Sequence, residues 1–338
     1  MLYKKILNTT IKIFLPLALG FALLWYLYRD MNFSKIWESA RSANYGILLL
    51  SLLFGVTANT IRAFRWGILI DALGERYRTK NLIFAVLGNY AINYALPRVG
   101  EVWRCGIIAK YEKILFAKLL GTLLVDRVAD TLTVGLMALS FVAINFGFVE
   151  TYIAHNPSVA ISFPESSSVL WLLLVGAIMI AAVWFAFARL GHLSIVQKIK
   201  GILLNIWEGI KSVWRMERKW LFLLQTLMLW TLYYLYFYTT FYAFDFTSNL
   251  GYGKGFIAFT MSSIGVAAPV QGGIGAWHFM VISTLLCFGV LESEAAAFAF
   301  VVYSLQSVWT ILCGLFGIVA LPIANRKQSG ETEDTPEN

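Results

Sequence analysis

Apolar segments long enough to cross a membrane recur along the chain, and short polar stretches separate them. They occupy about 13–28, 45–61, 115–147, 169–188, 220–244 and 295–322. A bilayer core of about 30 Å needs roughly 20 apolar residues for one helix. The pattern therefore predicts an all-α integral membrane protein with about six full transmembrane helices.

Two further apolar stretches, 81–113 and 255–291, are interrupted in the middle. The first breaks at Leu96–Glu101 and the second at Pro269–Gly275, and both breaks contain proline and glycine. Proline and glycine end helices, and each remaining arm is too short to span a bilayer. We predict two re-entrant helical hairpins. Ordinary tight turns between short tilted spans are the alternative.

The positions of Lys and Arg predict the orientation, because cytoplasmic loops collect them. The stretches 62–80 and 189–219 are rich in basic residues, whereas 148–168 has none and 245–254 has only Lys254. Both chain ends then lie in the cytoplasm. The stretch 29–44 falls outside, although it carries Arg29, Lys35 and Arg41.

In this orientation the two hairpins enter the membrane from opposite sides. The first lies in a half made of 45–147 and the second in a half made of 220–322, which is an inverted repeat. An amphipathic cytoplasmic linker, 189–219, joins the halves within a transmembrane domain of residues 1–325. We expect the polar tail 326–338 to be disordered. Paired interrupted segments of this kind indicate the binding site of a transporter.

Composition supports the membrane assignment and narrows the chemistry. The chain is 59% hydrophobic and 14% charged, with a mean hydropathy of +0.70. Its net charge of +8 is explained by membrane orientation, so we expect no nucleic-acid partner. Cys105, Cys287 and Cys313 have apolar neighbours and no CxxC spacing, which favours packing over a disulfide or a metal site. We predict no cofactor.

Six charged residues lie within the apolar stretches of the first half: Arg98, Glu101, Arg104, Asp126, Arg127 and Asp130. The first three are spaced i, i+3, i+6, so they can share one helix face. Each charge at a helix centre costs roughly 2.5–3.5 kcal/mol, so we expect the six to form one polar cluster between hairpin and helix. A headgroup or ion site is one interpretation, since an arginine fork suits phosphate. A structural ion-pair network is the other.

The second break is rich in glycine. Gly272, Gly273 and Gly275 permit positive φ, and a helix start follows them, which would suit an anion-binding nest. Close helix packing is the alternative. We interpret His278 as a packing residue, and the aromatic run 230–242 as packing and interfacial anchoring, with a lipid-facing groove as the alternative.

Three motifs resemble one known family. Pro97–Arg104 resembles its R-x-G-E-x-x-R segment. Gly121–Asp130 is similar to its G-T/S-x-x-x-E-R-x-x-D, with Asp126 in place of the usual Glu. Pro269–Gly275 resembles its P-x-P-G-G-x-G, with Gln271 in place of the second Pro. The family is the lysylphosphatidylglycerol synthase transmembrane region, also called flippase-like, and the resemblance covers roughly 10–322.

This resemblance implies a lipid-handling membrane module. The chain ends soon after its last apolar segment, so we expect no soluble synthase domain and no enzymatic activity. We expect a lipid translocase in a prokaryotic plasma membrane, acting on a phospho- or isoprenoid lipid with an anionic or aminoacylated headgroup. The candidate substrate-binding residues are Pro97, Arg98, Gly100, Glu101, Arg104, Asp126, Arg127, Asp130, Pro269, Gln271, Gly272, Gly273 and Gly275.

Three other functions remain open at this point. A secondary transporter of a small anion would have the same hairpins and buried charges. An intramembrane enzyme would find general acid–base groups in the paired carboxylates, but the sequence has no Ser-His or metal-ligand constellation. A non-catalytic partner of a lipid-synthesis enzyme is compatible with every feature.

Overall fold

The computed structural model describes residues 18, 20, 22–29, 31–96, 98–144, 213–268 and 270–326. The predicted span 169–188, almost all of the linker 189–219 and the tail beyond Arg326 lie outside the described residues. Pro97 and Pro269, at the two breaks, also lie outside them. The described chain is built from helices joined by short turns, and no strand occurs within these ranges.

Nine helices of two or more turns follow the helical residues 22–28 in the described ranges. They are α1 (Phe33–Arg41), α2 (Tyr45–Asp71), α3 (Thr79–Ala95), α4 (Val99–Glu112), α5 (Phe116–Ile144), α6 (Lys219–Tyr238), α7 (Gly251–Ala267), α8 (Ala276–Cys287) and α9 (Glu292–Ala324). A 3-10 segment, Thr239–Ala243, extends α6, and another, Gln271–Gly273, lies in the second break.

Three helices are long and apolar enough to cross a membrane: Tyr45–Asp71, Lys219–Ala243 and Glu292–Ala324. Each coincides with a predicted apolar segment. The 29-residue helix α5 also occupies a predicted span. The stretch 29–44, predicted as a loop, contains the short helix α1, because the Asn32 side chain accepts the backbone N–H groups of Ser34 and Lys35.

The predicted end of the second span was wrong. The apolar pattern was interpreted as ending at residue 61, with Arg62 and Arg65 in a basic loop. The helix α2 continues to Asp71, and both arginine side chains are buried in it. These arginines therefore belong to the protein interior and do not contribute to the loop charge.

Both predicted breaks separate two antiparallel helix arms. In the first hairpin, α3 and α4 pack so closely that a Cβ at Gly100 would lie 2.1 Å from the carbonyl oxygen of Asn89. In the second, a Cβ at Gly265 would lie 2.8 Å from the Cα of Trp277. Glycine at these positions lets the two arms of each hairpin touch backbone to backbone.

The two halves of the chain interlock. Helix α9 of the second half packs along α3 of the first, where Gly314 and Gly317 lie against the backbone of α3. A buried amide pair between Asn81 and Asn325 closes the end of this contact, with nitrogen–oxygen distances of 3.1 and 3.0 Å. Helix α6 packs along α2 in the same way. The first hairpin is thereby held between helices from both halves.

Candidate functional site

A cluster of seven charged side chains lies where α2, α4 and α5 meet. The members are Arg62 and Arg65 from α2, Glu101 and Arg104 from α4, and Asp126, Arg127 and Asp130 from α5. We call this set the charge cluster. The structure therefore brings together five of the six charged residues singled out in the sequence and adds two from a third helix.

Asp126 is the centre of the charge cluster and is completely buried. Its Oδ1 accepts from Arg65 Nη2 at 2.6 Å, and its Oδ2 accepts from Arg104 Nη2 at 2.9 Å. Arg127 Nη2 lies 3.4 Å from the same Oδ2. Arg62 Nη1 lies 3.7 Å from it as well. A buried carboxylate can stay charged here because four guanidinium groups surround it.

Asp130 lies one turn further along α5, on the same face as Asp126. Its Oδ2 accepts from Arg62 Nη1 at 2.5 Å, and its Oδ1 accepts from Arg65 Nη2 at 2.7 Å. Arg65 thus bridges the two aspartates. The spacing of Asp126 and Asp130, and of Arg62 and Arg65, puts each pair on one side of its helix, so the two helices meet through charge.

Aromatic rings cover the guanidinium faces. The guanidinium carbon of Arg104 lies 4.6 Å from the centre of the Trp66 ring. Arg65 lies over Phe222 at 5.5 Å, and Arg62 over Tyr233 at 5.7 Å. Stacking leaves the in-plane N–H groups of an arginine free for hydrogen bonds while shielding its faces from solvent.

Among the described residues, several guanidinium nitrogens of the charge cluster have no hydrogen-bond partner. They are Arg65 Nε, Arg104 Nε, Arg104 Nη1 and Arg127 Nε, and all four are buried. A buried donor without a partner costs about 1–3 kcal/mol, and more when it is charged. The four arginines also outnumber the three carboxylates, so the charge cluster carries one net positive charge. Unused donors and excess positive charge together fit an anion.

Arg127 and Glu101 form the accessible edge of the charge cluster. Arg127 Nη1 lies 3.3 Å from Glu101 Oε1, and their side chains are 35% and 21% exposed. The apolar neighbours Val102 and Leu124 are 51% and 49% exposed on the same two helices. The partly exposed pair thus joins two helices, α4 and α5, that also expose apolar side chains.

Arg98 does not join the charge cluster, contrary to the sequence-based expectation. It precedes α4 at the tip of the first hairpin, where its backbone adopts a left-handed conformation with φ of 64°. The residue is exposed, and within the described part of the chain it has no ion pair. The i, i+3, i+6 spacing applies only to residues inside one helix, and Arg98 lies before the helix begins.

Arg62 and Arg65 were missed as site residues because a rule that counts basic residues near span ends assigned them to a loop. A signal was present in the sequence. The segment Trp66–Asp71 after them is apolar up to its last residue and contains no proline, so the helix could continue. Two arginines one turn apart within a continuing apolar helix need buried acidic partners.

The glycine-rich loop of the second hairpin is packed rather than open. Gly272, Gly273 and Gly275 have positive φ, as their sequence suggested. A Cβ at Gly272 would lie 2.8 Å from the Tyr94 ring, and one at Gly275 would lie 2.6 Å from the Leu23 Cβ. The N–H groups of Gly273 and Ile274 donate to backbone carbonyls of the loop itself. These contacts favour close packing over an anion nest.

The tips of the two hairpins are in contact. Gln271 is buried, and its Nε2 donates to the carbonyl oxygen of Ala95 at 3.4 Å. His278 follows the loop and is buried among the rings of Tyr28, Trp277 and Tyr303, in agreement with a packing role. No group of three His, Cys, Asp or Glu side chains in the described ranges is arranged to hold a metal ion.

Comparison with known proteins identifies the family. The family described as lysylphosphatidylglycerol synthase TM region matches residues 13–314, so the chain belongs to it and is a membrane protein. A UPF0104 membrane protein of Methanocaldococcus jannaschii is 28% identical over 130 residues, which is 38% of this chain and 38% of the relative. The match thus spans well under half of that relative's length.

Proposed function

We propose that this member of the family is a carrier that moves a phosphate-bearing lipid across the membrane, with the charge cluster as its headgroup site. The observation that supports this most is that buried guanidinium nitrogens of Arg65, Arg104 and Arg127 have no hydrogen-bond partner within the described part of the chain. Phosphate oxygens accept hydrogen bonds from guanidinium groups in matching geometry, often from two nitrogens at once. The one net positive charge favours a singly charged phosphodiester.

The accessible edge supports a lipid over a small soluble anion. A lipid must enter sideways from the bilayer, with its chains left among apolar groups. Arg127 and Glu101 are partly exposed on helices that also expose the apolar Val102 and Leu124, so in this proposal a headgroup reaches them while its acyl chains stay outside. A small-anion carrier has no use for charges exposed in an apolar outer surface. Arg127 would exchange Glu101 for the phosphate as the headgroup enters.

The hairpins suit the movement of such a headgroup. In this proposal they are re-entrant, enter from opposite sides and close the path between the two sides where Gln271 meets Ala95. About six spans, cytoplasmic chain ends and a plasma-membrane location complete the proposed topology. The protein acts as a carrier rather than an enzyme, and aspartates 126 and 130 hold the arginines in place rather than transfer protons.

The test compares two substitutions on the same hairpin. Arg104→Lys keeps the positive charge beside Asp126 but removes the planar fork, whereas Arg98→Gln removes an exposed charge at the tip. We expect purified wild type and Arg98→Gln to retain an anionic phospholipid enriched over its share of the source membrane, measured by mass spectrometry. Arg104→Lys should lose this enrichment at least ten-fold.

Translocation is measured in proteoliposomes that contain fluorescent NBD-labelled phosphatidylglycerol. Dithionite added outside quenches the label in the outer leaflet, so the label in the inner leaflet is protected until the lipid is moved outward. Faster loss of protection with wild type than with Arg104→Lys, and an unchanged rate with Arg98→Gln, would support the site. Equal rates for wild type and Arg104→Lys, with the source-membrane lipid composition in both samples, would refute it.

A further inference from the structure

A second set of polar side chains continues from the charge cluster toward the glycine-rich loop. Its members are Asn59, Tyr90, Tyr94, Tyr233, Tyr303 and Ser307, and we call them the polar seam. They come from four helices, α2, α3, α6 and α9, and all six are half-buried. Tyr233 belongs to the aromatic run 230–242, whose sequence pattern indicates packing and interfacial anchoring, with a lipid-facing groove as the alternative.

Tyr233 connects the polar seam to the charge cluster. Its hydroxyl accepts from Arg62 Nε at 3.3 Å and donates to Asn59 Oδ1 at 2.9 Å. The hydroxyl of Tyr90 lies 3.0 Å away and must be the donor in that contact, since the only proton of Tyr233 is already used. Tyr90 therefore keeps its own acceptor lone pairs for another group.

The polar seam continues one turn further along α3. The hydroxyl of Tyr94 lies 3.0 Å from that of Ser307 on α9. One turn before Ser307, the hydroxyl of Tyr303 donates to the carbonyl oxygen of Gly272 at 2.9 Å. The Tyr94 ring also touches Gly272. These contacts reach the loop of the second hairpin, at the opposite end from Arg62.

The hydrogen bond of the Ser307 hydroxyl differs from the usual one in an apolar helix. Ser and Thr in such helices usually donate to the carbonyl four residues back, as Thr60 and Thr310 do here. Ser307 instead bonds across to another helix. The six uncharged polar side chains form separate hydrogen-bonded groups that lie one helical turn apart on α3 and α9. Polar groups at membrane depth line cavities or paths.

We propose that the polar seam is a water-accessible track along which the headgroup passes between the charge cluster and the glycine-rich loop. Neutral hydroxyls can replace water around a phosphate or a headgroup hydroxyl, yet they hold it more weakly than arginine does. A moving headgroup needs such weak sites, because a second strong site would trap it. This inference rests on the proposed carrier function, but the accessibility of the polar seam to water can be measured without any lipid substrate.

The test measures the reaction of introduced cysteines with a charged methanethiosulfonate reagent, which modifies thiols in contact with water. Ser307→Cys places the thiol in the polar seam. Two neighbours on α9 are controls: Val308→Cys on the outer apolar surface, where the native residue is 55% exposed, and Val302→Cys in the core, where it is fully buried. Added label is counted by intact mass, so Cys105, Cys287 and Cys313 remain as a common background.

We expect Ser307→Cys to react at least ten-fold faster than both controls in membranes. A rate equal to that of Val302→Cys or Val308→Cys would refute the track, even if the lipid enrichment of wild type is confirmed. Conversely, fast reaction of Ser307→Cys without lipid enrichment would leave a wet path and refute the headgroup site.

A second variant tests transport directly. Tyr94→Phe removes one hydroxyl from the track but leaves the charge cluster intact, so we expect slower translocation of NBD-labelled phosphatidylglycerol with unchanged lipid enrichment. Tyr252→Phe changes an exposed tyrosine, 74% accessible, and should have the wild-type rate. A wild-type rate for Tyr94→Phe would contradict a role of the polar seam in transport.

Discussion

Replacing the central aspartate with asparagine isolates the contribution of charge to the stability of the cluster. Asp126→Asn keeps the shape of the side chain but removes its negative charge. It also turns an amide NH₂ toward Arg65 or Arg104, whose guanidinium nitrogens now lie 2.6 and 2.9 Å from the carboxylate. The net charge of the cluster rises from one to two positive charges, and Asp126 itself is fully buried, so solvent does not compensate at that side chain.

The expected loss follows from this geometry. Four guanidinium groups have a nitrogen within 3.7 Å of Asp126, so one carboxylate balances several buried cations. Removing one partner of a buried ion pair costs about 3–5 kcal/mol. We therefore expect Asp126→Asn to lose that much, which corresponds to a fall of roughly 4–7 °C in Tm for a chain of this length.

The assay is the fraction of protein that remains monodisperse on size-exclusion chromatography in detergent after heating. Asp71→Asn is the matched control, because Asp71 is 35% exposed and pairs with Arg218, which is 64% exposed, at 3.1 Å. An exposed pair contributes about 1 kcal/mol or less. If the Tm values of the two variants fell by the same small amount, the buried cluster would not be held together by charge, and our explanation would be wrong.

Two further substitutions test how the hairpin is packed. Gly100→Ala should destabilise the protein strongly in the same heating assay, because the new Cβ would lie 2.1 Å from the Asn89 carbonyl oxygen. Gly106→Ala on the same helix is its control. The new Cβ there meets nothing within 4 Å, so this variant should be neutral or more stable by up to about 1 kcal/mol. Asn325→Ala removes the amide pair with Asn81, so we expect a loss of about 1–3 kcal/mol in the same assay; an unchanged Tm would show that the contact between α9 and α3 does not depend on it.

The sequence could predict features that depend on neighbours along the chain. The lengths of the apolar segments determine where helices can form, and the breaks at Leu96–Glu101 and Pro269–Gly275 determine where the hairpins turn. Proline and glycine act on the backbone within a few residues, so these positions can be recognised without knowledge of the fold. Three motifs in the correct order also identified the family.

Other features depended on contacts between distant parts of the chain. Arg62 and Arg65 meet Asp126 and Asp130 across about sixty residues, and a rule based on local charge assigned those arginines to a loop. The opposite error occurred at Arg98. Its spacing predicted that it shares a helix face with Glu101 and Arg104, but the backbone turns at Arg98, which lies before α4 begins.

The polar seam is an even clearer case. Its tyrosines are ordinary aromatic residues in the sequence, and a tyrosine in an apolar helix usually packs. The docking of α9 along α3 and of α6 along α2 is what brings their hydroxyls together across the helices. The sequence by itself therefore determined which segments are helical and that charged groups lie within or beside them, since both are local properties of the chain. The tertiary structure decided which of those groups meet, because long-range packing selects the partners.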